Sequence, residues 1–95
     1  MGYPDKKIDI HKRTFDLAVK TVEFCRALDS VSSNWVLSKQ LLKAGTSIGA
    51  NVEEAQGGQS KPDFIAKMSI ALKEARGANY WLRLIQETSR SVIQS

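Results

Sequence analysis

Apolar residues along the chain fall into three blocks with helical spacing, separated by two short breaks. In the first block Phe15, Ala18, Val19, Val22, Cys25 and Leu28 recur at steps of three and four, the signature of a helix buried on one face. A second series, Ile10, Leu17, Phe24 and Val31, recurs every seven residues. At about 100° per residue the two series merge into an arc of more than half the circumference. Such an arc exceeds what one neighbouring helix can cover. The pattern predicts a helix from about Asp9 to Leu28 that contacts several helices, followed by a turn over Asp29–Asn34, where Ser33 or Asn34 can cap the next helix.

The second block runs from Trp35 to about Gln56, with the ridge Leu37, Leu41, Ala44, Ile48, Val52 and Ala55. Gly45 and Gly49 stand beside that ridge. Each glycine costs a helix about 1 kcal/mol relative to alanine, so the pair predicts a partner helix approaching closely there. Gly57-Gly58 ends the helix and Ser60-Lys61-Pro62-Asp63 starts the next, with Ser60 as the N-cap. Helices two and three therefore form an antiparallel hairpin. The third block extends from Pro62 to about Glu87 through Phe64, Met68, Ala71, Leu72, Ala75, Ala78, Leu82 and Ile85. Thr88-Ser89-Arg90-Ser91 reads as a weak break, and Val92-Ile93 is too short for a further helix. The fold class expected is all-α: an antiparallel up-down helical bundle of three long helices in a single domain over residues 1–95.

Composition adds mainly exclusions. The 95 residues are 42% hydrophobic and 25% charged, too apolar for a disordered chain. No apolar run can span a bilayer, and residues 1–11 lack the apolar core of a signal peptide, so a cytoplasmic protein without membrane contact is expected. The single cysteine, Cys25, lies in an apolar stripe and reads as an inert core thiol. The single histidine, His11, has no evident partners for a metal site or a catalytic triad. No cofactor or metal is expected. The net charge of +4 permits an acidic or nucleic-acid partner without requiring one.

Several of these residues, in this order and spacing, are recognisable. Ser47-Ile48-Gly49-Ala50-Asn51-Val52-Glu53-Glu54-Ala55 resembles the central signature of the four-helix-bundle proteins of the 23S ribosomal RNA intervening-sequence family. Phe15-Asp16-Leu17-Ala18, Gln40-Leu41, Ser60 with Asp63-Phe64-Ile65, and Leu72-Lys73-Glu74-Ala75 before Tyr80-Trp81-Leu82 match as well, so the resemblance spans roughly residues 9–87. It implies an up-down bundle that assembles into ring-shaped homopentamers and has no accepted enzymatic activity. Some members of that family are encoded inside insertions in ribosomal RNA genes. A related group serves diversity-generating retroelements and is thought to contact nucleic acid and a reverse transcriptase. The family's last helix has no counterpart after Ser91, so this sequence is expected to be a truncated version of the four-helix pattern, or one whose missing face a neighbour fills.

Two polar constellations stand out against the apolar pattern. Gln40, Ser47, Asn51 and Glu54 lie beside the ridge of helix two, and Lys67 and Glu74 lie within the apolar arc of helix three. Across a hairpin turning at Gly58–Gln59, Asn51 and Glu54 come level with Lys67 and Phe64. The expected outcome is a structural polar network at a helix seam or subunit interface, because buried charge is tolerated only when paired. The competing readings are a solvated stripe and a catalytic Glu54–Glu74 pair; the latter lacks any accompanying nucleophile, phosphate loop or metal cluster. The second constellation is a basic stripe on helix three: Lys73, Arg76, Arg83 and Arg90 with Tyr80 among them, interrupted by Glu87. Arginines interleaved with an aromatic suit phosphate contact and base stacking, although a plain solvated face uses the same residues. Lys6, Lys7, Lys12 and Arg13 form a second basic cluster. The function expected is that of a non-enzymatic homo-oligomer, a pentamer by resemblance, whose basic surface is a candidate for RNA or DNA. The alternative is a structural or adaptor protein that binds another protein.

Overall fold

The computed structural model describes the backbone of residues 9–31, 35–57 and 60–94. These residues form three helices: α1 (Ile10–Val31), α2 (Trp35–Gln56) and α3 (Lys61–Gln94). Caps fix two of the starts. The Lys12 amide donates to Asp9 Oδ1 at 3.1 Å, and the Asp63 amide donates to Ser60 Oγ at 3.3 Å. Each bond satisfies a first-turn N–H that has no partner within its own helix. The caps expected from Ser33 or Asn34, and Gly58 of the helix-ending pair, lie outside the described residues.

Two boundaries differ from the sequence reading. Helix α1 continues through Asp29, Ser30 and Val31, and α3 continues unbroken through Thr88-Ser89-Arg90-Ser91 to Gln94. The hydroxyls explain this. Ser30 Oγ donates to the carbonyl of Ala27 at 2.7 Å, and Thr88 Oγ1 donates to that of Leu84 at 2.9 Å. Polar side chains expected to draw the backbone out of the helix bond back onto the preceding turn instead. Neither stretch contains the glycine or proline needed to end a helix outright.

Helix α2 is the spine. It packs against both α1 and α3, whose backbones do not come within 8 Å of each other. The close approach predicted at Gly45 and Gly49 is made by α1. A Cβ on Gly45 would sit 2.7 Å from Thr21 Cγ2, and one on Gly49 would sit 3.1 Å from the backbone oxygen of Thr14. Thr14 and Thr21 are buried at this contact, and their hydroxyls bond to the carbonyls of Ile10 (2.9 Å) and Leu17 (2.8 Å). The Thr21 methyl thus faces Gly45 and the Thr14 backbone faces Gly49, with both hydroxyls paired.

The core has two centres. Cys25, Leu41 and Ile85 bring all three helices together, packed by Leu28, Leu37, Trp81 and Leu82. Ile48, Val52 and Ala71 join α2 to α3 near the hairpin turn, packed by Met68 and Ala75. Cys25 is buried as expected, with its thiol 3.4 Å from the Ser38 carbonyl. The radius of gyration is 16.1 Å, against about 12 Å for a compact chain of this length. The three helices therefore leave much of their apolar surface open, and the wide arc of α1 is covered mainly by α2, with α3 side chains reaching it only around Cys25.

Gly77 makes a useful contrast with the pair on α2. It lies within α3, and a Cβ there would meet nothing within 4 Å. Gly77→Ala should therefore stabilise the chain by about 0.5–1 kcal/mol, the helix-propensity difference, read as a raised denaturation midpoint.

Candidate functional site

The polar residues beside the α2 ridge divide into local and inter-helix contacts. Ser47 Oγ donates to the Lys43 carbonyl at 2.7 Å, and Asn51 Nδ2 donates to the Ser47 carbonyl at 2.9 Å, both within α2. Between helices, Lys67 Nζ lies 2.8 Å from Glu54 Oε1, one turn along α2 from Asn51, with which the expected register had set it level. The bond to Glu54 raises the Lys67 pKa above the ordinary lysine value. In the single chain this pair is not buried, since the Lys67 and Glu54 side chains are 39% and 59% exposed. Gln40 is exposed and Glu74 half-buried on α3; among the described residues neither makes a side-chain hydrogen bond or ion pair. The structure brings Glu54 to Lys67 and Ser47 to Asn51, and it leaves Gln40 and Glu74 apart from both pairs.

The basic stripe keeps its expected arrangement. Lys73, Arg76, Tyr80 and Arg83 are all exposed on α3. Arg76 and Arg83 are two turns apart, about 10 Å along the axis. Tyr80 stands between them, 52% exposed, its ring set edge-on against Trp81 with centroids 5.2 Å apart. Tyr80 and Arg83 share a shallow depression with Leu84, Gln86 and Glu87. Arg90 lies in α3, but its side chain is outside the described residues, as are Lys6 and Lys7.

Two features were not read from the sequence. The first is a bridge from His11 on α1 to Glu53 on α2. The hydrogen bond to Glu53, and then its charge, raise the His11 pKa above the ordinary histidine value. Because the folded value is the higher one, this contribution to stability is fully present below about pH 6.5 and is lost as pH rises through the folded value. The melting midpoint should therefore decline as pH rises above about 6.5. A His11→Gln variant should lose that part of the slope. The glycine pair on α2 announced a close neighbour but not its register, which the Thr14–Gly49 contact sets so that His11 comes level with Glu53.

The second feature is an open groove of ≈ 510 Å³ running between α1 and α3 over α2. Leu17 and Phe24 form one wall, Leu41 and Ile48 the floor, and Ala78 and Leu82 the other wall. It is the cleft left where α1 and α3 fail to meet. Its origin was visible in the seven-residue series of α1, but its closure or opening depends on tertiary packing.

A family model described as 23S rRNA-intervening sequence protein matches residues 6–92. The chain belongs to this family. The intervening-sequence protein is also similar to a crystal structure of a protein of unknown function from the S23 ribosomal protein family of Bacteroides thetaiotaomicron. The two are 44% identical with a TM-score of 0.81, the match covering 83% of this chain and 73% of the other. Among curated proteins no relative matches. The likeness confirms the helical fold and the family expected from the signature around Asn51. The described residues show three helices, so the four-helix arrangement implied by the resemblance is not seen here. Among those residues no three His, Cys, Asp or Glu side chains are grouped to hold a metal, and no helix is long and apolar enough to cross a membrane.

Proposed function

We propose that this intervening-sequence protein is a non-enzymatic cytoplasmic protein that works as an assembly of identical chains and presents the basic face of α3 to RNA or DNA. The observation that carries this reading is the exposed series Lys73, Arg76, Tyr80 and Arg83, nearly three turns of α3 with an accessible aromatic ring among the cationic side chains. Arginine and lysine supply phosphate contacts that position a strand, and tyrosine supplies a stacking surface that tolerates any base. A single copy carries a weak net charge, whereas a cyclic assembly repeats the stripe around its axis and multiplies its phosphate contacts.

Self-association is supported by apolar surface that the fold leaves uncovered. Phe15 is 65% exposed, and Val19 lies beside it on the face of α1 turned away from the groove. Phe15 and Leu17 are about 200° apart on the helix, so this outer face and the groove are separate surfaces. Continuous exposed apolar surface of this kind marks an interface in soluble proteins. A homopentamer is the specific proposal. The competing adaptor reading, in which the partner is another protein, is favoured by the groove.

The test is a titration of fluorescent single-stranded and duplex oligonucleotides at 50 and 200 mM salt. Binding should be largely independent of sequence and weaken steeply at the higher salt through counterion release. An absence of binding at the lower salt would leave the stripe a solvated surface and the adaptor reading in its place.

A further inference from the structure

Gly77 weakens α3 without an evident return inside the chain. Glycine in a helix interior is less favourable than alanine. At Gly45 and Gly49 the close seat of α1 explains the glycine, whereas a Cβ on Gly77 would meet nothing within 4 Å. Its neighbours are two aromatic residues. Tyr80 and Trp81 follow Gly77 by three and four residues, so they flank it on the helix surface at about 60° on one side and 40° on the other. Long side chains on a helix lean back over the preceding turn, which here is the turn of Gly77. Neither ring lies over the glycine, since no side-chain atom comes within 4 Å of the Cβ position. The rings instead brace each other at 77°, with centroids 5.2 Å apart. Trp81 packs against the core around Cys25, Leu41 and Ile85, and it supports Tyr80, which is exposed. The outcome is a gap with backbone for its floor and an aromatic corner beside it.

We infer, resting on the nucleic-acid reading of α3, that this gap receives an unpaired base and that the preferred ligand is therefore a single strand. A floor without a side chain lets a flat ring come close to the helix, and an aromatic wall held in place offers that ring a stacking face. The charges place the rest of the strand. Lys73, Arg76 and Arg83 lie on the Tyr80 side of the gap, away from α2, and all three are exposed. The half-buried Glu74 lies on the opposite side, toward α2, and Glu87 lies one turn beyond Arg83. Phosphates therefore run along the Tyr80 side, with a base turned inward over Gly77. A base held in a duplex is stacked between its neighbours and reaches such a gap only by leaving the helix. The gap faces away from α1 and from the groove over α2, so it is separate from the apolar surfaces described above.

The experiment compares three fluorescent probes at one low salt concentration: a single-stranded oligonucleotide, a strand of equal length with abasic positions, and a duplex. Wild type should bind the complete strand about tenfold more tightly than the abasic strand, which keeps the phosphates and lacks the stacking. Gly77→Leu fills the gap with a good helix former at an open position, so circular dichroism should show its helices intact. This variant should bind the complete strand about tenfold more weakly, no better than the abasic one, with its salt dependence and its duplex binding unchanged. Tyr80→Leu should behave in the same way. Equal binding of complete and abasic strands by wild type, or full binding by Gly77→Leu, would overturn the gap while leaving the nucleic-acid reading in place. Binding of no probe by wild type would overturn both. A Gly77→Leu variant that loses assembly mass would assign the gap to a contact between copies, and that too would overturn the inference.

Discussion

Gly45→Leu should destabilise the chain by about 3 kcal/mol or more, a drop in melting temperature of over about 10 °C for a domain of this size. Thr21 occupies the space a side chain would need, since even a Cβ would lie 2.7 Å from its Cγ2 and 2.9 Å from its Oγ1. That neighbour cannot swing away cheaply. Threonine is β-branched and stiff in a helix, and its hydroxyl is held by the Leu17 carbonyl at 2.8 Å. The extra methyl groups must push α1 off α2, and α1 packs on no other helix backbone within 8 Å. Leucine's better helix propensity returns only about 1 kcal/mol. Calorimetric or denaturant melts check this. Equal stability would mean that α1 does not seat on Gly45, and the close α1–α2 contact would be wrong.

The second large effect concerns the α3 face. Arg76→Glu with Arg83→Glu should weaken oligonucleotide binding at low salt by about a hundredfold or more, at two lost charged contacts of about 1.5–3 kcal/mol each. The slope of log affinity against log salt should fall by about two, one for each phosphate contact removed. Both side chains are exposed, so the helices should survive the change. The informative comparison is with mass: a variant that keeps its assembly state and loses binding assigns the loss to the stripe. A variant that binds as well as wild type would remove these two residues from any interface.

Local chemistry made most of the fold legible. Ser60 announced its helix because a capping oxygen satisfies amides whose position is fixed by sequence spacing alone. Gly45 and Gly49 announced a close neighbour because two glycines inside a helix are costly without one. Counting residues either side of the hairpin turn brought Asn51, Glu54 and Lys67 to one seam but set Lys67 level with Asn51, whereas its ammonium reaches one turn farther to Glu54. The ends of α1 and α3 were misread because Ser30 and Thr88 can bond either out of the helix or back to it, and composition does not choose between the two. The exposure of Glu54 and Lys67 in the single chain was illegible for a different reason. The angular position of a residue on its helix is local, but exposure depends on which neighbours cover that angle. With α1 and α3 apart, the seam is open to water, and the same separation creates the groove that periodicity could not foresee.

The central claim is that the chain acts by assembling and by binding nucleic acid. Its most direct test is the mass of the protein in solution, by size-exclusion chromatography with light scattering at micromolar concentration, with and without RNA. A single homo-oligomer is expected, of five chains, whose mass rises when RNA is added at low salt and returns when salt is raised. A species of single-chain mass that elutes unchanged in the presence of RNA would contradict it.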